Sequence, residues 1–415
     1  MAWITSFDRL LTRQRLRYPW FIGGALWIGW LISLLLGGGT MDLAGHLLGT
    51  DFVAFYSAGK ILWMGQGANL YDLNLTHQIQ QEVYGFQSEN FNPYLNPPYY
   101  AFLFIPFAWL PYSISALVWL GLNGVFLWLS LRLIGVKPLP RIFLLVLTWL
   151  PAFSAISFGQ NAFLSLLILS LVYFLWRQDK QLMAGLCLSL LLYKPQLIAG
   201  LALLWLLEWR TQWKSLGGLI LGSAAIVALN FGLMPEATVA YFSYAQKTYA
   251  NLMHVAGFPF WNAHAVGSFW LMLLPNAPAW LPGGLYGLCS LLGVFSFVWF
   301  WRKWSKEREI LFAAAVLLTL WITPYLMVYD WVLFILPAWC LWVFAANLRT
   351  AWRVIFAVFW VTMLVSSVLT FLQLQVFGFA IQLSLLVLTW GIYWSYRLLL
   401  SMEQDKLSMV HSGKA

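Results

Sequence analysis

The sequence predicts an all-α polytopic membrane protein, and three observations carry that prediction. Of its 415 residues, 62% are hydrophobic and only 9% are charged, outside the range of globular chains. Apolar runs of roughly 15–20 residues recur from end to end, separated by Gly, Pro or charged residues. When these runs are taken as alternating crossings, 20 of the 23 Lys and Arg fall in the loops of one face, and Lys60, Lys194 and Lys247 fall on the other. Basic loops mark the cytoplasmic side, so both termini are placed there.

The first run, 18–39, follows Arg9, Arg13, Arg15 and Arg17 and has no small-residue cleavage site after it, so it reads as an uncleaved span. Further spans are expected at 116–135, 141–158 and 162–176, at the short pair 182–193 and 195–209, and at 215–234. The remaining ones are 279–301, 310–328, 331–346, 352–372 and 376–398, which makes about twelve in all. The short pair flanks Tyr193-Lys194-Pro195-Gln196, where Pro195 forbids a continuous helix. One long span there would invert the charge bias of everything downstream.

On this reading residues 1–415 form a single transmembrane domain. It has a cytoplasmic N-terminus (1–17), a long first outer loop (40–98), a second large outer loop (235–278) and a cytoplasmic tail (399–415). The first loop is expected to carry interfacial helices: an amphipathic stretch at 52–65, a polar one at 71–87 and a Pro-rich exit at 92–98. A Pro-interrupted apolar run at 99–111 reads as re-entrant or interfacial, and 240–253 suits a helix lying along the membrane.

Composition also excludes several function classes. Cys187, Cys289 and Cys340 show no CxxC spacing, so neither a zinc site nor a disulfide framework is implied. The net charge of +9 is spent on orientation signals, so no nucleic-acid partner is expected. No P-loop, GxSxG or HExxH occurs and the outer loops hold no Asp-x-Asp, so nucleotide, serine-hydrolase and zinc-peptidase chemistry lack their parts.

The outer face is where chemistry concentrates. It receives Asp42, Asp51, Asp72, Glu82, Glu89, Glu236 and Asp330, half of the 14 acids. Asp51 stands out, because a carboxylate beside a membrane helix is costly if it strays into hydrocarbon; as a cap of the helix after it, it would serve structure instead. Lys194 at the Pro break can meet a phosphate as a point charge or reach lipid headgroups. Lys60 and Lys247 are weaker versions of the same alternatives.

Gln160 and Asn161 turn the chain after Gly159, and with Asn96 and Asn262 they could bond sugar hydroxyls or simply be solvated. His254 and His264 suit phosphate contact, orientation of an acceptor, or solvation. Asp330 is either a second site carboxylate or the cap of a helix from Trp331.

In order along the chain stand GTDFVAFYSAGK (49–60), GANLYD (67–72), NPPYYAFLFIPFAWLP (96–111), GQNAFL (159–164), YKPQ (193–196) and TPYLMVYDWVLFILP (323–337). This order resembles glycosyltransferase family 87, polyprenyl-phosphate-sugar-dependent enzymes of the GT-C fold class typified by bacterial mannosyltransferases, over about residues 50–337. The resemblance implies inverting, metal-independent and cofactor-free transfer of a hexose, typically mannose. The donor would be a polyprenyl phosphate carrier and the acceptor a hydroxyl of a glycan or glycolipid, at the outer face of a bacterial inner membrane.

The family's first-loop acid falls on Asp51, its Gly-Gln turn on Gly159 and Gln160, its Lys-Pro element on Lys194 and Pro195, and its late Tyr-Asp on Tyr329 and Asp330. The Pro-Pro element here follows Asn96 where the family often has an aromatic residue. The later loop matches only at Asn262, so a role for His264 comes from its chemistry alone. The expected roles are Asp51 as base, Lys194, Lys60, His264 and His254 at the donor phosphate, and Asn96, Gln160, Asn161, Asn262, Tyr329 and Asp330 at sugar or acceptor. Partners are the lipid-linked donor, the acceptor and membrane lipids. A transporter or flippase for a lipid-linked sugar is the alternative, since Pro-broken helices also suit alternating access, and a non-catalytic assembly subunit is a third reading.

Overall fold

The computed structural model describes residues 2–86, 88, 90–251 and 259–411. Among these residues the chain is helical throughout, with no β-strand and two isolated bridges, Met41 to Leu47 and Ala263 to Met327. Among the described residues, six helices are long and apolar enough to cross a membrane: Arg15–Leu36, Tyr112–Leu133, Trp209–Leu233, Trp280–Trp304, Ala346–Phe377 and Leu383–Glu403. A seventh is formed if Leu139–Leu147 and Leu150–Ser157, bent by 77° at their junction, count as one span. Leu35, Leu291 and Phe295 on such helices are exposed, as side chains facing lipid are. The protein is an integral membrane protein.

Other stretches expected as spans form apolar helices of 10–17 residues, among them Ala162–Arg177, Gln181–Tyr193, Pro195–Leu207 and Val328–Phe344. Two expectations change in detail. The stretch expected as one span at 141–158 breaks because Pro151, lacking an N–H, sits in the first turn of a new helix. The last helix begins at Leu383, because Gly378 closes the preceding helix in a left-handed conformation.

The chain divides into two compact units, Ile22–Pro259, and Met1–Phe21 with Phe260–Ala415. In Ile22–Pro259 the helix Phe52–Trp63 is a core element and does not lie on the surface as an interfacial helix would. Phe52, Val53, Ala54, Phe55 and Tyr56 are all buried, Phe55 stacks on Phe104 at 4.9 Å, and Phe52 stacks on Trp119 at 5.8 Å. Burial of such aromatic side chains contributes roughly 1.5–3 kcal/mol each, enough to anchor the loop that precedes the helix. Tyr112–Leu133 packs on Ala162–Arg177, and Gln181–Ser189 packs on Trp209–Leu233.

In the other unit, Arg308–Ile322 packs between Trp280–Trp304 and Ile335–Phe344, and Arg349–Phe377 pairs with Leu383–His411. The N-terminal helix Ala2–Leu10 lies on Arg349–Phe377, where Asp8 pairs with Arg353.

Candidate active site

The site in Ile22–Pro259 is built on a contact between two turns. Gly49 (φ +66°) and Gly159 (φ +68°) both take left-handed conformations, which glycine adopts without steric cost. They also meet face to face: a Cβ on Gly159 would stand 3.2 Å from the Gly49 Cα and 2.8 Å from the Phe52 Cβ. The Asp51 N–H donates to the Phe158 carbonyl at 2.8 Å. The Trp119 indole donates to the Gly159 carbonyl at 2.7 Å. The Tyr112 hydroxyl is shared between the Leu48 and Gly49 carbonyls at 2.9 and 3.0 Å, and Asn92 donates to the Thr50 carbonyl at 2.9 Å. The backbone leading to Asp51 is therefore held from several sides.

What Asp51 does there is clearest beside its neighbours. The Asp42 carboxylate accepts from the Ala44 and His46 N–H groups, and the Asp72 carboxylate accepts from Asn74 and Leu75, so both serve local backbone. Asp51 occupies the N-cap position of Phe52–Trp63, yet makes no capping hydrogen bond. One of its carboxylate oxygens accepts instead from the Gln160 side-chain amide at 2.7 Å. The capping role is thus unfilled, and the acid is oriented by a residue 109 positions away.

From Gln160 the polar network continues. The Ser165 hydroxyl lies 3.3 Å from the Asn161 carbonyl and shares a 2.8 Å hydrogen bond with the Tyr193 hydroxyl. The Tyr193 ring stacks on Tyr100 at 4.3 Å, and its carbonyl accepts from Asn96 at 3.1 Å. Lys194 follows directly. Its backbone is non-helical (φ −135°, ψ 70°) between the short 3-10 turns Leu190–Tyr193 and Pro195–Ile198, which is the break Pro195 imposes.

The Asn161 side chain is 1% exposed, and both its amide oxygen and nitrogen lack a hydrogen-bond partner. The Tyr100 hydroxyl lies beside that amide without meeting hydrogen-bond geometry. Buried polar atoms left open in this way are rare and mark a place where a polar group is accommodated.

Asp51, Asn96, Gln160, Asn161 and Lys194 thus belong to one connected arrangement. Lys60 lies in the same unit but pairs with Glu82 at 2.7 Å. His254 and the side chain of Lys247 lie outside the described residues.

Asn262, His264, Tyr329 and Asp330 belong to the other unit. His264 is 1% exposed, with Nδ1 at 2.7 Å from the Ser384 hydroxyl and Nε2 at 2.8 Å from that of Ser367. Ser367 gives its proton to Asn262 at 2.7 Å, so Nε2 carries the ring proton and Nδ1 accepts from Ser384. Burial pushes the His264 pKa down from 6.5 to about 3, and the ring is neutral at physiological pH. Asp330 is not a cap: it is the third residue of the 3-10 helix Val328–Phe334, whose N-cap is Met327.

Sequence reasoning missed Asn92, Tyr112, Ser165 and Tyr193. Only Tyr193, next to the Lys-Pro break, carried a local signal. Among the described residues, no group of three or more His, Cys, Asp or Glu is placed to hold a metal ion.

No curated protein and no solved structure matches the chain. The model of glycosyltransferase family 87 matches residues 94–328. That stretch is more than half of the chain and includes Asn96, the Gly159-Gln160 turn and the Lys194-Pro195 break, while the Asp51 loop precedes it. This chain belongs to glycosyltransferase family 87.

Proposed function

We propose that this glycosyltransferase moves a hexose, mannose in the first instance, from a polyprenyl-phosphate donor to a hydroxyl of an acceptor glycan or glycolipid, with inversion at the anomeric carbon. Asp51 takes the proton of the attacking hydroxyl as the new C–O bond forms. The bond from the anomeric carbon to phosphate oxygen breaks, and the charge that gathers on the departing polyprenyl phosphate is met by the Lys194 ammonium. A phosphate leaves already charged, so the reaction is proposed to run without metal or cofactor. The observation that carries this reading is the Asp51 carboxylate, released from capping and fixed by Gln160, on a network that ends beside Lys194.

The open amide of Asn161, with Asn96 and Gln160, suits sugar hydroxyls. Asn262, Tyr329 and Asp330 are assigned to the acceptor side. His264 enters as a neutral residue that positions Asn262, in place of the phosphate contact its chemistry suggested; His254 keeps that assignment. The topology that goes with this reading has twelve crossings, both termini in the cytoplasm and the site on the extracytoplasmic side of a bacterial inner membrane. The basic residues of the cytoplasmic loops support it.

The test is Asp51→Asn in proteoliposomes supplied with polyprenyl-phosphate mannose. Loss of a general base lowers kcat by roughly 10²–10⁴-fold. Near wild-type transfer by this variant refutes the base assignment.

A further inference from the structure

The first outer loop holds a second polar feature that the proposed reaction does not use. A depression of about 360 Å³ is lined by Thr40, Tyr56, Lys60, Glu82, Tyr112 and Ser113, large enough for a small ligand. Its lining combines an ammonium, a carboxylate, two phenol rings and two aliphatic hydroxyls, so donors, acceptors and aromatic faces stand together. Lys60 and Glu82 face each other at 2.7 Å, with side chains 27% and 65% exposed.

That pairing decides the ligand's charge. A phosphate entering here would have to displace Glu82 from Lys60 and then sit beside its carboxylate, which opposes it. A neutral ligand with adjacent hydroxyls can accept from the ammonium and donate to the carboxylate at once, both as charge-assisted hydrogen bonds. The rings of Tyr56 and Tyr112, 5.3 Å apart and perpendicular, are 6% and 8% exposed and form a buried apolar floor under its C–H groups.

Position decides how it relates to the reaction. Tyr112 also holds the Leu48 and Gly49 carbonyls, and its hydroxyl feels the Asp51 carboxylate, so the depression borders the catalytic loop. Phe52, Tyr56 and Lys60 follow at four-residue spacing along one face of Phe52–Trp63. The Lys60 Cα is nine residues past that of Asp51, two and a half turns and roughly 13 Å along the axis, so the two side chains leave opposite sides of the helix and the Tyr112 edge of the depression is the one nearer the catalytic loop. A single sugar ring whose hydroxyl is at Asp51 does not reach that far.

We propose that this depression is an acceptor subsite for a neutral sugar remote from the reacting hydroxyl, so that the acceptor is an oligosaccharide or its glycolipid. The proposal rests on the reading of Asp51 as base. Lys60 here binds acceptor hydroxyls and not the donor phosphate.

The experiment uses the full chain in proteoliposomes with polyprenyl-phosphate mannose. Acceptors are octyl glycosides of one, two and three hexoses in the gluco, galacto and manno series, and binding of the same glycosides is followed by saturation-transfer NMR. The wild type is expected to favour the longer members of one series. In Lys60→Gln and Glu82→Gln the KM for those members rises roughly tenfold, while the one-hexose acceptor and the donor KM stay within twofold. Ser113→Phe, which fills the depression from a half-buried edge, gives the same pattern and covers the case in which either charge variant is poorly folded.

The proposal is overturned if longer acceptors gain nothing over one hexose in any series. It is also overturned if the variants slow short and long acceptors alike, or if the donor KM carries the change. A wild type that uses none of these acceptors but glycosylates native membrane lipids overturns the subsite alone. A wild type that transfers hexose to nothing overturns the reading beneath it.

Discussion

Replacing Gln160 with leucine separates a base that is merely present from one that is positioned. The bond it removes is a 2.7 Å contact from a side-chain amide to the Asp51 carboxylate, and hydrogen bonds to charged groups contribute about 1.5–3 kcal/mol. If that energy holds the acid in its reactive orientation, at about 1.36 kcal/mol per decade kcat falls roughly 10–150-fold. The backbone around Asp51 does not depend on this amide, because the Asp51 N–H to Phe158 carbonyl bond and the Gly49 to Gly159 contact are independent of it. Folding is therefore retained, and because Gln160 is also assigned to sugar hydroxyls, KM rises by no more than roughly tenfold while the main loss lies in kcat. Gln160→Glu sets a like charge against Asp51 and costs more than Gln160→Leu. The assay is transfer of labelled mannose from polyprenyl-phosphate mannose in proteoliposomes, with kcat and KM determined separately. A Gln160→Leu enzyme whose kcat stays within twofold of wild type, or whose loss lies wholly in KM, refutes the positioning argument.

Two further outcomes are expected. Gly159→Ala puts an L side chain at φ +68° and a methyl 2.8 Å from the Phe52 Cβ. The conformation costs about 1–2 kcal/mol and the crowding about 1–3, so the melting temperature drops and transfer falls with it; a melting curve like that of wild type contradicts this. His264 supplies an acid sensitivity. Its native pKa of about 3 lies below the ordinary 6.5, so between those values the unfolded chain binds a proton that the native state refuses. Stability is full above about pH 6.5 and declines as pH falls, by about 2 kcal/mol at pH 5. His264→Gln lowers stability at pH 8 but flattens that slope, as chemical unfolding at both pH values will register; an unchanged slope refutes it.

The parts of the fold that were legible in the sequence are those fixed by local chemistry. Pro195 announced the break at Lys194, and the apolar periods announced helices close to where they lie. Pro151 carried an equally local signal, yet an apolar run continuing on both sides of a proline does not itself tell a kinked span from two helices at 77°. In the site, the Gly-Gln turn and the first-loop acid could be named, but not their bond to each other.

Pairings such as Asn92 with Thr50, or Ser165 with Tyr193, join segments 42 and 28 residues apart, and nothing in either segment specifies its partner. His264 shows the same limit from the other side. A histidine in an outer loop gives no sign that Ser367 and Ser384, more than 100 residues on, will enclose it. Burial, which decides its charge, is a property of the assembled fold.

The meeting of Gly49 and Gly159 has a consequence for engineering this enzyme. Two chain segments touch there through bare α-carbons, so the separation between the two backbones that carry Asp51 and Gln160 is fixed by main-chain contact, and at Gly49 and Gly159 there is no rotamer by which to readjust. Attempts to change which donor or acceptor is used should leave both positions alone and vary the side chains around them. A larger residue at either one would move the carboxylate itself, and a new pocket would then be judged with a displaced base.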